Sequence, residues 1–213
     1  PSSVQEMASL TATAFDLADI YRMPAMLLAD GALGQMMEPV DFSAFEKHEI
    51  PEKPWATVGH KMAREHNIVN SLFIDPQVLE DSVRARYKRY DMVEEKEVRY
   101  EEFCTDDADI VLVAFGITAR ICKSAVTAAR EKGIKAGLLR PITLWPFPKK
   151  PIAAVADHAK ALLSVEMSMG QMVDDVRLAV NGKKPVYFYG RTGGMIPSVE
   201  EVTAEIEKLA AAL

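Results

Sequence analysis

Apolar and polar positions divide the chain into two stretches with different rhythms. From residue 109 onward, short runs that are apolar at successive positions alternate with longer runs whose apolar residues recur every three or four. Residues 109–115, 134–139, 161–165 and 186–189 read as strands covered on both faces, because no polar residue alternates through them. Residues 118–132, 149–158, 171–180 and 198–213 carry helical spacing. In the first of these helices Ile121, Ala125, Val126 and Ala129 share one side, and Gly133 follows as the C′ residue. The alternation predicts a mostly parallel sheet of four core strands with helices on both faces, an α/β class. Residues 98–103 add an antiparallel edge strand, blunted by Arg99 and Glu101.

The earlier stretch is less regular. Ser3-x-x-Glu6 has the form of a capping box and opens a helix to about Tyr21, with Met7, Leu10, Ala14, Leu17 and Ala18 on one stripe. Pro24 ends it, and residues 25–29 are apolar in succession, as in a two-sided strand. One helix and one strand cannot cover their own apolar faces, so further residues are expected ahead of Pro1. Residues 41–75, broken by Pro51 and Pro54, read as an irregular crossing between domains, with Trp55 as its anchor. Asp75-Pro76 then starts a helix running to about Glu94. Val78, Leu79, Val83, Tyr87 and Tyr90 give that helix an apolar side. Arg84, Arg86, Lys88 and Arg89 give it a basic one, read as a solvated face balanced by Glu94, Glu95 and Glu97. The expected units are residues 1–50, a connector and helix over 51–95, and an α/β domain over 96–213.

Composition narrows the function classes. Apolar residues make up 49% of the chain and charged residues 26%, the balance of a globular protein rather than a disordered one. The formal net charge of −6, with no basic stripe, argues against nucleic acid. No run reaches the roughly eighteen apolar residues of a membrane helix. The opening residues do not read as a signal peptide, and two cysteines that read as reduced thiols make a cytoplasmic setting the default expectation. Cys104 and Cys122 are too few for a disulfide framework, a zinc site or an iron–sulfur cluster. His48, His60 and His66 lack metal-ligand spacing, so no metal is expected. There is no nucleophile elbow and no HExxH, and no catalytic residue is assigned.

Two loops stand out. Residues 140–148 contain Pro141, Pro146 and Pro148, which exclude a helix interior and a central strand. Trp145 and Phe147 on that loop either tuck into the domain's own core or form a stiff contact surface. Residues 30–40 hold Asp30, Gly31, Gly34, Gln35, Met36, Met37 and Glu38. They form either a simple strand-to-loop turn or the rim of a cleft. Three smaller features remain open in the same way. Gly116 begins a helix and either binds an anion or makes a tight turn. Glu166 caps the turn after its strand or meets a partner. Arg191 with Gly193 and Gly194 reads as an ordinary loop rather than an anion site.

These stretches also carry a likeness. Arg140-Pro-Ile-Thr-Leu-Trp-Pro-Phe-Pro148, Asp109-Ile-Val-Leu-Val-Ala-Phe-Gly116 and Val165-Glu-Met-Ser-Met-Gly-Gln171 resemble the transketolase C-terminal-like domain of thiamine-dependent 2-oxoacid:ferredoxin oxidoreductases. Asp30-Gly-Ala-Leu-Gly-Gln-Met-Met-Glu-Pro-Val40 is most similar to the branched-chain, 2-ketoisovalerate members, in their pyrimidine-domain subunit. The resemblance implies a remnant of a thiamine-pyrimidine-binding domain followed by the transketolase C-terminal-like domain. It implies oxidative decarboxylation of a 2-oxo acid to an acyl-coenzyme A, with electrons passing to ferredoxin. Thiamine diphosphate and magnesium would sit mainly on a partner subunit, since the GDG…N metal signature is absent here. Iron–sulfur clusters would sit on other chains, and no cofactor is expected on this chain alone. Expected partners are the thiamine-diphosphate-binding, gamma-type and ferredoxin-like subunits, ferredoxin and coenzyme A. Asp30, Gly31, Gly34, Gln35, Met36 and Glu38 become cleft-rim candidates. Met36, Met37, Arg140, Trp145 and Phe147 become subunit-interface candidates. The glutamate that activates the aminopyrimidine is expected upstream of Pro1, and neither Glu6 nor Glu38 is assigned that role. Alternatives are 2-oxoglutarate or pyruvate as substrate, or a non-catalytic assembly module of the same fold. A thiamine-binding partner encoded beside this chain would separate subunit from module.

Overall fold

The structure, a computed structural model, describes all residues from 1 to 213. Five strands, β1 (Tyr100–Phe103), β2 (Ile110–Val113), β3 (Ala136–Pro141), β4 (Ala161–Glu166) and β5 (Val186–Gly190), form one sheet in the order β1-β3-β2-β4-β5. β2, β3, β4 and β5 are parallel, and β1 pairs antiparallel at the edge. Every residue of β2, β3 and β4 is buried, which is why these strands read as apolar runs until the polar residues Arg140, Ser164 and Glu166 near the carboxyl ends of β3 and β4. Six helices accompany the sheet: α1 (Val4–Tyr21), α2 (Pro76–Lys96), α3 (Gly116–Glu131), α4 (Lys149–His158), α5 (Met172–Val180) and α6 (Val199–Ala212).

Alternate strand residues point to opposite sides, and two cores result. Ile110, Leu112, Leu138 and Leu163 face α3 and α6, meeting Val126, Val202 and Ile206. Val111, Val113, Leu139 and Leu162 face α4 and α5, meeting Ile152, Val176 and Phe147. Gly137 is required by contact: a Cβ there would lie 2.5 Å from the Cys104 carbonyl oxygen, where the chain leaves β1. Going from β2 to β3 the chain moves one way across the sheet, and α4 then carries it back past β2 to β4. The loops at the carboxyl ends of β2 and β4 therefore diverge, leaving the crevice where open α/β sheets bind ligands.

The four core strands and the antiparallel edge strand match the sequence reading. Residues 25–29 do not. They run without a paired strand, and Met26 and Leu28 are exposed. Apolar succession marked the segment as strand, yet a strand needs a ladder partner, and no segment of this chain pairs with it. The capping box at α1 is only half formed. Ser3 Oγ accepts from the Glu6 amide at 3.1 Å, but the Glu6 carboxylate takes the Ser2 amide at 2.6 Å instead of the Ser3 amide. A complete capping box occurs at α6, between Ser198 and Glu201. Residues 41–75 hold one short turn, Phe42–Ala44, and are otherwise irregular, and the Arg22 guanidinium lies over the Trp55 ring. No helix is long and apolar enough to cross a membrane.

Candidate functional site

At the carboxyl edge of the sheet, the amino-terminal segment is bound to the α/β domain through charged side chains. The first contact lies at the switch point itself. Gly116 opens α3 with φ of 59°, and its neighbour Ile117 donates its amide to Asp30 Oδ2 at 3.0 Å. The other oxygen of Asp30 accepts from the Leu33 amide at 2.8 Å, and Leu33 is fully buried. A Cβ on residue 116 would lie 3.0 Å from Asp30 Oδ2, so the close approach suits glycine. The anion that Gly116 and its helix could hold is thus the chain's own carboxylate.

Arg140, at the end of β3, is the centre of the second contact. Its Nη1 and Nη2 donate to the two oxygens of Glu6, each at 2.8 Å, a fork-on-fork pair. Nε donates to Glu101 at 3.0 Å, and Nη1 also reaches Ser2 Oγ at 2.8 Å. Arg140 is buried in this arrangement. Burial alone would raise the Glu6 pKa. The Arg140 hydrogen bonds, the Ser2 amide and the Arg140 charge outweigh it and hold the carboxyl down at about 2. Beside this pair, Glu38 accepts the Val4 amide at 2.9 Å and Arg120 Nη1 at 2.7 Å, and both bonds hold its pKa below the usual range. Lys123 donates to Glu101 at 2.7 Å. Arg140, Arg120, Lys123, Glu38 and Glu101 line an open cleft of about 280 Å³ whose cations all have carboxylate partners.

Glu166, at the end of β4, caps α5. Its carboxylate accepts the amides of Gln171 at 2.9 Å, Met172 at 3.0 Å and Val173 at 2.8 Å. Ser164 Oγ and Ser168 Oγ donate as well, at 3.0 and 2.9 Å. Burial works against its charge, but the Gln171 amide, the Ser168 hydroxyl and the further amides prevail and keep its pKa below the usual range. Of the two roles open for Glu166 in the sequence, the structure gives it the capping one. Arg191 pairs with Glu201.

The remaining candidates scatter. Gly31, Gly34 and Gln35 lie exposed around the turn Leu33–Gln35, and a Cβ on either glycine would meet nothing within 4 Å. Met37 is 97% exposed, and Met36 is half-buried. Phe147 packs into the core with α4 and α5. Trp145 stays half exposed against Tyr90. Of the interface candidates, Phe147 has its ring turned inward by the loop, and the Arg140 guanidinium is enclosed by Glu6 and Glu101, so within this chain both already have partners. Sequence reasoning missed Glu6, Glu101, Arg120 and Lys123 as members of the charged junction. Glu6 had a local explanation in the capping box, and nothing in the spacing links it to a residue 134 positions away. No group of three or more His, Cys, Asp or Glu gathers as metal ligands. Cys122 is fully buried, which pushes its thiol pKa up and away from reactivity. The carboxylates and cations at this edge are paired with one another or with helix amides, and the pairs fix α1 and residues 30–40 on the carboxyl edge of the sheet.

Known proteins match this chain along its whole length. A family model described as pyruvate:ferredoxin oxidoreductase core domain II matches residues 108–202. The ketoisovalerate oxidoreductase subunit VorB of Methanothermobacter marburgensis is 46% identical over 210 residues, covering 99% of this chain and 59% of that protein. The 2-oxoglutarate synthase subunit KorA of Methanothermobacter thermautotrophicus is 31% identical over 239 residues, covering 98% of this chain and 62% of that protein. The chain thus spans about three-fifths of the length of these relatives. A solved 2-oxoglutarate:ferredoxin oxidoreductase from Magnetococcus marinus, with 2-oxoglutarate, coenzyme A and succinyl-CoA bound, has a TM-score of 0.71 at 17% identity. The alignment covers 98% of this chain and 41% of that one, and shares the fold.

Proposed function

The chain belongs to the 2-oxoacid:ferredoxin oxidoreductase family, and we propose that it forms part of the subunit carrying the pyrimidine-side and transketolase C-terminal-like domains. In this reading residues 1–50 are the end of the pyrimidine-binding domain, 51–95 the connector and linking helix, and 96–213 the transketolase C-terminal-like domain. The assembled enzyme oxidatively decarboxylates a branched-chain 2-oxo acid of the 2-ketoisovalerate type to its acyl-coenzyme A, passing electrons to ferredoxin. The observation that carries the substrate is identity: 46% to the ketoisovalerate subunit against 31% to the 2-oxoglutarate subunit, each over nearly the whole chain.

Thiamine diphosphate, when bound in the assembly, supplies the carbanion-stabilising chemistry of decarboxylation. The residues of this chain do not fit its diphosphate and metal end. The amide of Ile117 at the start of α3 is held by Asp30, and three amides at the start of α5 are held by Glu166. No buried polar side-chain atom lacks a partner. The role derived for this chain is positional. Asp30, Glu38 and the Glu6–Arg140 pair fix residues 30–40 beside the switch-point crevice, where Met36 and Met37 present an adaptable apolar wall. Of the interface candidates, Met37 and Trp145 are the ones exposed enough to meet a neighbouring subunit.

Assembly of the whole subunit that contains this chain with its thiamine-binding partner and the other subunits, followed by ferredoxin reduction with coenzyme A and each 2-oxo acid, tests the reading. The expected order of kcat/KM is 2-ketoisovalerate above pyruvate and 2-oxoglutarate. A preference for 2-oxoglutarate overturns the substrate, and absence of turnover with every acid overturns the catalytic subunit. Calorimetry on the chain alone with thiamine diphosphate and magnesium is expected to show no saturable binding at micromolar concentration.

A further inference from the structure

The two tryptophans of the chain sit in different company. Arg22 lays its guanidinium over Trp55, 4.7 Å from the ring centroid. Trp145 has no lysine or arginine of its own chain over its face, although half of it is exposed. It stands edge-on to Tyr90, with centroids 5.7 Å apart and planes at 85°. Tyr90 in turn meets Tyr87 at 5.5 Å and 64°. These rings, with Met23, wall an open concavity of about 480 Å³, and its lip is formed by Asp91 and Glu94. Rings at steep mutual angles form a corner in which one cation faces more than one π cloud.

The charges on the lip have one sign. Asp91 and Glu94 lie three residues apart, on one face of α2, and no base lines the concavity. The one ion pair within α2 joins Arg84 to Glu80, on an earlier turn, and leaves both lip carboxylates without a cation. We propose that this corner is a docking site for an arginine side chain of another polypeptide. A guanidinium is flat and weakly hydrated, so it stacks on the rings. Its fork of donors can also span two carboxylates one helical turn apart. A lysine ammonium is a compact, strongly hydrated charge and answers only part of this geometry. The fold already makes the same contact internally between Arg22 and Trp55. The proposal goes beyond the redox reading and stands without it, since it needs only the loop of Trp145, helix α2 and Met23 after α1.

The test uses the full chain carrying Trp55→Phe, which leaves Trp145 as the only indole of the two. Its fluorescence is followed during titration with N-acetyl-arginine amide, the neutral isostere N-acetyl-citrulline amide, N-acetyl-lysine amide and tetramethylammonium. The expected result is saturable quenching by the arginine derivative, at concentrations at least about tenfold below those of citrulline and lysine. Asp91→Asn with Glu94→Gln should weaken arginine binding by about tenfold, with an unchanged circular dichroism spectrum. Both side chains are exposed, so the variant keeps its fold. Equal response to citrulline, or unchanged arginine affinity in the double variant, overturns the proposal. Tighter binding of lysine or tetramethylammonium would reassign the site to an ammonium group, and no saturable quenching by any probe would remove it.

Discussion

The two halves of the chain are held by different forces. Of 45 buried residues, only Thr13, Leu33 and Val93 lie before residue 98; the α/β domain contains the rest. Yet the first half has the two longest helices, of 18 and 21 residues. Both are well capped: Ser3 accepts the Glu6 amide, and Asp75 accepts the amides of Gln77 and Val78. Caps and spacing are enough to shape a helix but do not give it a core. In the second half a sheet buried on both faces holds the helices by apolar contact. In the first half polar pairs do that work: Glu6 with Arg140, Glu38 with Arg120, Asp30 with the Ile117 amide and Tyr21 with Glu97. The apolar side read along α2 is correspondingly open, with Val78, Leu79 and Tyr87 all exposed.

The contrast is tested most severely by removing comparable leucines from each half. Leu163 is 1% exposed between β2 and β5, and Leu163→Ala should cost about 3–4 kcal/mol in chemical denaturation, as lost burial and a cavity combine. Leu79→Ala, on the open side of α2, should change the same midpoint by less than about 0.5 kcal/mol. Similar losses at the two positions would show that α2 is packed after all.

Glu6→Gln should have the next largest effect and a local one. It leaves the buried Arg140 with half its counter-charge, at a cost of roughly 2–3 kcal/mol; the value stays below that of a fully enclosed pair because 20% of the Glu6 side chain is exposed. Hydrogen exchange should speed up in α1 and residues 30–40 while β2 and β4 stay protected. The pH dependence has a definite sign. The Glu6 pKa is depressed from 4.5 to about 2 in the fold, so the stabilisation is complete above about pH 4.5 and is lost as pH falls towards 2. Protection of α1 that falls on raising the pH from 3 to 6 would contradict the assignment.

Glu166→Gln should be milder than Glu6→Gln, about 2 kcal/mol, because an amide oxygen can still accept some of the α5 amides but without charge. The expected signature is faster exchange at Gln171, Met172 and Val173, with α1 unaffected. Loosening of α1 in this variant would mean that the two polar contacts are one network.

Much of this architecture was legible along the chain. Continuous apolar runs identified β2, β3 and β4 because both faces of each are covered, and Asp75-Pro76 announced α2 because capping is a local matter. The order of motifs carried the family likeness for a related reason: strand ends and turns keep their local sequence. Residues 25–29 were misread because apolar succession reports an extended, apolar backbone and not whether a partner strand lies beside it. The charged junction was invisible for a stronger reason. Glu6 and Arg140 meet across 134 residues, and Asp30 reaches Ile117 across 87. No spacing rule relates such positions. Sequence periodicity thus determined the elements and their alternation, since these depend on each residue's near neighbours. The tertiary structure alone decided which carboxylate meets which cation or helix end, since that follows from where the completed sheet places its edge.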